Sequence, residues 1–436
     1  MNFRHYKENL EKMVECVRRR EVEVDVKKVV DLFTQYHAKQ SEISQLRSEK
    51  NENARLLQNL SQFTEAEKGA LIERGKDLRE KIKAAEEEIS WTENEMYGEG
   101  DKIPNDIHPA VPDTEPALLQ LVGTPPNFDF TPKDHLEIGA ELDLFDFETA
   151  GDVVGGKFYY SKNEVALLEL ALVNWATHYM TQKGFTPLLT PDLVHTRFAE
   201  ACGFRPRSPS GQMYRIMDHD ACLIGTSEIP LAALYNGKLF RPGASAKENF
   251  PIKLVAFSHC FRVEAGHRGR LSRGMYRVHQ FSKVEMFLIS RPEESDELHQ
   301  YLLNLQIEIL KELGLHFRVL DMPANDLGAS AYRKFDIEAW FPSHNDYGEV
   351  TSCSNCTDYQ ARRLNMRTKT KVTDKDGKVG EVSQYVHTLN GTALAVPRII
   401  MAILENFQTK EGLIKIPKPL VPFMNGMEWI GKMKRD

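Results

Sequence analysis

A chain of 436 residues with 41% hydrophobic content is long for a single core and ample for two or three domains. Its formal net charge of −7 excludes a protein that coats nucleic acid by charge alone, while leaving room for a local basic patch. Six scattered cysteines read as reduced thiols, the acid-bearing amino terminus fits no signal peptide, and no apolar run is long enough to span a bilayer, so a cytoplasmic protein without a membrane partner is expected.

Residues 1–25 read as a short helix and a connector. From Asp25 to about Tyr97 there is no proline, and apolar residues recur in a 3-4 rhythm at Val29, Leu32, Tyr36, Ile43, Leu46, Leu57 and Leu60. A second seam at Leu71, Gly75, Leu78, Ile82, Ala85, Ile89 and Met96 follows Ser61-Gln62-Phe63-Thr64, where Thr64 and Glu67 have the spacing of a capping box. Two such helices predict an antiparallel hairpin packed as a coiled coil, each arm of roughly 30 residues projecting about 45 Å. Its basic residues, Lys39, Arg47, Lys50, Arg55, Arg74, Lys76, Arg79 and Lys83, make either a solvated face or an RNA contact, and a dimerisation coiled coil is the structural alternative. Prolines from Pro104 to Pro132 predict a linker over 101–132, between an amino-terminal domain 1–100 and a larger domain 133–436. In that larger domain helices and strands alternate with no regular βαβ period and no glycine-rich dinucleotide fingerprint, which predicts an α+β fold on an antiparallel sheet.

Within the larger domain, Ser161 to Lys183 has helical periodicity and leads through Gly184 into an edge strand, Phe185 to Pro191. Thr226-Ser227-Glu228 stands before a helix-like run and reads as a cap, a role compatible with lining a pocket. Phe257 to Phe287 predicts two antiparallel strands joined by a long glycine-rich loop carrying His267, Arg268, Arg270 and Arg273. Arg262 and Glu264 share one strand face, as do Phe281, Lys283 and Glu285. An Arg beside a Glu on a strand is ordinarily a surface ion pair; the flexible cationic loop beside them suits a polyphosphate and a nucleic-acid end instead. Phe335 to Trp340 alternates as a strand, followed by Glu349-Val350-Thr351-Ser352 and Cys353-Ser354-Asn355-Cys356. A lone CxxC with no second Cys or His pair nearby reads as buried thiols, with no structural zinc expected. Thr388-Leu389-Asn390-Gly391-Thr392 reads as a turn before an apolar helix whose early Pro397 suits a first turn and whose charged residue near the start, Arg398, either snorkels to solvent or faces a ligand.

Taken in order, these segments resemble the class II aminoacyl-tRNA synthetases, and seryl-tRNA synthetases in particular. Phe261-Arg262-Val263-Glu264 is similar to motif 2, the helix and strand ending at Pro191 to motif 1, and Asn390-Gly391-Thr392 with Arg398 to motif 3. Two positions depart from the bacterial-type pattern: Thr392 stands where Ser is common and Pro397 where Gly is common. Threonine keeps the hydroxyl, and the proline touches only local helix geometry.

The resemblance implies a serine–tRNA ligase: serine and ATP form seryl-adenylate and pyrophosphate, and the seryl group then passes to the 3′ end of tRNA(Ser), with tRNA(Sec) left open as a second acceptor. It implies catalysis by Arg262, Glu349 and Arg398, and ATP contacts from Arg262, Val263, Glu264, Phe281, Glu349, Val350, Thr351, Ser352 and Arg398. Serine contacts fall to Thr226, Ser227, Glu228, Arg262, Glu285, Asn390 and Thr392, and Mg²⁺ bound with ATP to Glu349 and Ser352. The tRNA acceptor end would meet His267, Arg268, Arg270 and Arg273, the helical arm would meet the variable arm, and the motif 1 region would join a homodimer. The motif 3 helix lies so near the chain end that no carboxy-terminal anticodon-binding domain is expected. The rival readings are a non-catalytic synthetase-like paralogue, whose signature would be loss of Arg262, Glu264, Glu285 or Arg398, and an amino acid:carrier-protein ligase, whose relatives lack a tRNA arm.

Overall fold

In the computed structural model the described residues are 1–58, 63–205, 211–243, 249–264, 273–373 and 379–432. Packing divides the chain into two compact units, Met1–Asp106 and Ile107–Asp436.

The first unit opens with two short helices, α1 (Phe3–Glu8) and α2 (Leu10–Arg19), where one was expected. Asn9 divides them, since its φ of −126° and ψ of 38° are not helical. The hairpin follows as α3 (Val26–Gln58) and α4 (Glu65–Gly100), of 33 and 36 residues, so each arm runs about 50 Å. Every described seam residue is buried or half-buried, and Thr64 caps α4 with the reciprocal bonds of a capping box. Leu60 and the tip residues 59–62 lie outside the described residues. Asn53, a polar interruption of the seam, is buried and donates from Nδ2 to the Leu71 carbonyl at 2.9 Å. Gly75 makes room for it, because a Cβ there would stand 3.1 Å from that same nitrogen.

The second unit is built on an eight-stranded sheet. Its strands are β1 (Ala117–Val122), β2 (Thr186–Leu189), β3 (Ile252–Phe261), β4 (Gln280–Ser290), β5 (Phe317–Asp321), β6 (Arg333–Phe341), β7 (Asp346–Thr357) and β8 (His387–Ala395). They lie in the order β1-β5-β6-β7-β8-β4-β3-β2, antiparallel throughout except where the edge strand β2 runs parallel to β3. Three helices, α5 (Asn163–Gln182), α6 (Ser295–Glu312) and α7 (Val396–Asn406), bury Leu168, Leu172, Leu302, Ile309, Ile400 and Leu404 in one core with the sheet. Each such side chain contributes about 1.5–3 kcal/mol on leaving water.

Three expectations meet a different outcome. Strand β1 falls inside the proline-rich stretch read as linker: Pro116 and Pro125 bracket an apolar run that pairs with β5. The segment 388–392 is strand, not turn. Gly391 suits it there because β8 is crowded on both sides, a Cβ on that glycine approaching the Cys353 Cβ to 3.1 Å and the Met286 Cε to 3.3 Å. The motif 2 strands are also shorter than read, β3 ending at Phe261 and β4 starting at Gln280, although the Arg262 N–H still donates to the His279 carbonyl at 2.9 Å.

Candidate active site

The sheet's middle strands, β7, β8, β4 and β3, hold a cleft. Period-two alternation aims Phe281, Lys283 and Glu285 of β4 into it, and the register sets Thr392 of β8 directly opposite Glu285. From β7 come Glu349, Val350, Thr351 and Ser352. Both β7 and β8 lose regular register at the cleft, between the partners of Thr351 and Glu349 and between Thr392 and Leu394. Such bulges re-aim side chains. Fully buried Gln306 of α6 ties the two irregular stretches together, donating from Nε2 to Thr351 Oγ1, the Ser352 carbonyl and the Thr392 carbonyl, each at 2.8 Å.

Two polar networks line the cleft. In the first, Arg398 in the opening turn of α7 donates from Nη1 to the Glu349 carbonyl at 3.0 Å, pairs with its carboxylate at 3.2 Å and lies 4.5 Å over the Tyr276 ring. Burial pushes the Glu349 carboxyl up, but Arg398, Lys334 and Arg262 outweigh it and hold the group below its ordinary range. Arg262 donates from Nε to the Gly225 carbonyl at 3.2 Å, its guanidinium 5.4 Å over Phe281, and Arg277 pairs with Glu264 at 3.2 Å. This half offers cations, an aromatic face and a fixed carboxylate, a set suited to a nucleotide with its phosphates.

The second network is deeper. Lys283, almost wholly buried, pairs with Glu285 and donates to Thr226 Oγ1 at 2.7 Å. Thr392 donates its hydroxyl to Glu285 Oε2 at 3.2 Å. Glu228, at the start of a short helix (Glu228–Ala233), accepts at Oε1 from Gln360 at 2.5 Å and Asn390 at 2.7 Å. Burial, with Glu285 second, pushes the Glu228 carboxyl up to about 7 against the opposing pull of Gln360, Lys283 and Asn390. Thr226 both lines the cleft and accepts from the Glu228 N–H at 3.3 Å, so cap and wall coexist.

Most residues singled out from the sequence line this one cleft: Thr226, Glu228, Arg262, Glu264, Phe281, Glu285, Glu349, Val350, Thr351, Ser352, Asn390, Thr392 and Arg398. Ser227 and Val263 do not; Ser227 is fully buried behind the wall, and Val263 uses its N–H on the Gln212 carbonyl at 2.8 Å. His267, Arg268 and Arg270 lie outside the described residues, and Arg273 is exposed and away from the lining. Cys353 and Cys356 are buried free thiols. The sequence reading missed Lys283, Tyr276, Arg277 and Phe204 as lining residues. For Lys283 the signal was present in its alternation with Phe281 and Glu285; Phe204 arrives from a distant segment with no periodic signal.

Residues 1–107 match the model of the seryl-tRNA synthetase N-terminal domain, and residues 214–407 that of the tRNA synthetase class II core domain (G, H, P, S and T). A serine–tRNA ligase of Treponema denticola is 42% identical over 99% of this chain and 100% of its own length, and one of Rubrobacter xylanophilus is 42% identical over 100% of both. Among solved structures, the seryl-tRNA synthetase of Pyrococcus horikoshii complexed with ATP superposes with a TM-score of 0.88 at 32% identity, covering 100% of both chains. The cytoplasmic enzyme of Naegleria fowleri in complex with AMP gives 0.81 at 30% identity over 98% of this chain and 97% of that one. The chain belongs to the seryl-tRNA synthetase family of class II aminoacyl-tRNA synthetases.

Proposed function

We propose that the protein is a serine–tRNA ligase that activates L-serine with ATP and transfers the seryl group to the 3′ end of tRNA(Ser), releasing AMP and pyrophosphate. The observation that carries this is the meeting, in one cleft, of the Arg262–Phe281 and Arg398–Glu349 groups with the buried Lys283–Glu285–Thr392–Glu228 network. Activation is an in-line attack of the serine carboxylate on the α-phosphorus, so it calls for positioning and charge neutralisation, not a covalent nucleophile. Arg262 would clamp the α-phosphate with its planar fork, Glu264 would accept from the adenine amino group, and Phe281 and Arg398 would flank the ring. The Val350-Thr351 backbone would complete the nucleotide's surroundings.

Glu349 and Ser352 fit a Mg²⁺ ion arriving with ATP. Both line the cleft, Glu349 is held as a carboxylate, and two hard oxygen donors suit an ion that keeps phosphate and water ligands. When bound, that ion would neutralise charge on the phosphate oxygens. Glu285, Glu228, Thr226, Thr392 and Asn390, with Ser227 behind them, would recognise the amine and hydroxyl of serine. A site that hydrogen-bonds the hydroxyl leaves polar groups unpaired when alanine enters, a penalty of roughly 10⁴–10⁵ in kcat/KM.

The helical arm would bind the variable arm of the tRNA through shape and phosphate contacts, and the loop bearing His267, Arg268, Arg270 and Arg273 would bind the acceptor end. Helix α5 and strand β2 expose Leu170 (62%) and Leu189 (84%), which suits pairing of two copies through the motif 1 region. Among the described residues no helix is long and apolar enough to cross a membrane. ATP–pyrophosphate exchange without tRNA, run with serine, threonine, alanine and glycine, tests the reading. Serine-selective exchange is expected; a folded protein with none overturns it.

A further inference from the structure

Gly274 stands just ahead of Tyr276 in a turn that leads into the cleft, and two constraints meet there. The Tyr276 N–H donates to the Arg273 carbonyl at 3.4 Å across the turn, and Gly274 takes a left-handed φ of +61°. Room is short as well, because a Cβ on Gly274 would stand 2.1 Å from His135 Nε2 and 2.9 Å from Leu136 Cδ2. His135 opens a short helix (His135–Glu141) and is buried, as is Glu405 near the end of α7. The His135 N–H donates to Glu405 Oε1 at 3.3 Å, ring atom Nδ1 lies 3.2 Å from the same oxygen, and the Ser343 hydroxyl donates to Oε2 at 2.6 Å. A carboxylate only accepts, so Nδ1 carries the proton. The opposite edge of the ring, Nε2, is directed at Gly274 and has no hydrogen-bond partner among the described residues. Glu405 thus fixes a ring whose far edge acts as a wall.

The same helix holds the other side of the turn. Glu405 lies two turns of α7 beyond Arg398, so the two side chains leave one face of it. Arg398 donates from Nε to the Tyr276 carbonyl at 3.3 Å and lies over the Tyr276 ring, while Met275 between Gly274 and Tyr276 is fully buried. Just past α7, Gln408 exchanges two bonds of 2.9 Å with the backbone of Lys133, which anchors the approach to His135. Helix α7 therefore grips the turn directly at Tyr276 and through His135 at Gly274. We infer that His135 is a positioning residue for the nucleotide half of the cleft: clamped by Glu405, its ring seats Gly274 and so sets where Tyr276 and Arg398 stand beside the adenine ring. This rests on the ATP-binding part of the reading above.

The test uses Gly274→Ala, which drives a methyl group into the ring edge, and His135→Asn, which keeps a donor toward Glu405 but removes that edge. ATP binding is measured by calorimetry without serine, the KM values for ATP and serine by pyrophosphate exchange, and folding by thermal melts. Gly274→Ala should raise the Kd and KM for ATP roughly tenfold or more, and His135→Asn about threefold, with the KM for serine within about twofold of wild type. The double variant has room for the methyl group and should bind ATP more tightly than Gly274→Ala alone. A folded Gly274→Ala protein with the wild-type Kd for ATP overturns the proposal, as does a double variant that binds no more tightly than Gly274→Ala. Equal rises in the KM for ATP and for serine would show general loosening and overturn it too. If Gly274→Ala does not fold, His135→Asn decides alone, and an unchanged Kd for ATP refutes the positioning role. A wild-type protein that binds ATP but shows no serine exchange would instead sink the serine-activating reading, with the ATP-binding arm still deciding the role of His135.

Discussion

The hairpin and the cleft both contain Lys or Arg paired with Glu, in very different surroundings. On the hairpin, Arg47 and Glu86 meet at 2.8 Å with side chains 62% and 45% exposed, and Arg74 reaches Glu49 at 3.5 Å across the two helices. In the cleft, Lys283 and Glu285 are 7% and 3% exposed. An exposed pair gains little Coulomb energy against water and salt, so each hairpin pair contributes about 0.2–1 kcal/mol, and the hairpin stands on its apolar seam. A buried pair has given up its hydration, and breaking it leaves a bare charge that costs roughly 3–5 kcal/mol. One chemistry thus makes a tolerant surface in one unit and an intolerant buried pair in the other.

The sharpest way to break that comparison is Glu285→Ala. It strands Lys283 and frees the Thr392 hydroxyl, and on the proposed reading it also removes the counter-charge for the amine. Loss of one buried partner predicts a fall of roughly 10²–10³ or more in kcat/KM for serine exchange, with ATP binding retained. Intact serine activation in this variant would refute the pocket assignment. Arg398→Lys comes next. A single ammonium cannot hold the Glu349 carbonyl, the Glu349 carboxylate and the Tyr276 ring together, so kcat/KM for ATP should drop by about tenfold to a hundredfold while serine affinity stays near wild type.

A pH series sharpens the picture further. The Glu228 carboxyl, pushed up to about 7, is neutral below that pH and cannot pair with an amine. Serine affinity should therefore decline below about pH 7, by at most roughly tenfold per pH unit for a single proton, and level off above. Stability has the opposite sign: between the ordinary glutamate value and about 7 the folded state binds more protons than the unfolded one, so the burial of Glu228 weakens the fold as pH rises through that window. Glu228→Gln should flatten both curves, read by exchange kinetics and by thermal melts.

How much of this was legible in the sequence depends on how local each signal was. The hairpin was nearly all visible, because a coiled-coil seam repeats and Thr64 with Glu67 marks a helix start with its own side chains. The facing of Phe281, Lys283 and Glu285 was equally plain from alternation along β4. Strand β8 was misread at Asn390-Gly391 because a turn signal and a close-packed central glycine look alike until Cys353 and Met286 are seen beside it. The role of Gln306 carried no signal at all: one amide on a helix acquires meaning only where the sheet brings Thr351 and Thr392 within its reach.

The smallest effect on stability should come from the hairpin surface, and there its smallness is the useful result. Arg47, Arg74, Lys76 and Lys83 each have a glutamate partner, whereas Lys50, Arg55 and Arg79 have no ion-pair partner among the described residues. Removing the charge of these last three therefore breaks no pair, and replacing exposed helix residues by alanine shifts stability by no more than about 0.5 kcal/mol each. If the hairpin binds the phosphates of tRNA, these unpaired cations are the ones free to do so without first giving up a protein partner. A Lys50→Ala, Arg55→Ala, Arg79→Ala triple variant should then keep its serine exchange rate and melting temperature but charge tRNA with a higher KM, and its binding should lose salt sensitivity in proportion to the contacts removed, roughly 0.9 in the log–log slope per phosphate contact for a duplex. Unchanged tRNA KM and unchanged salt slope would return these residues to the status of solvated surface and leave shape as the hairpin's means of recognition.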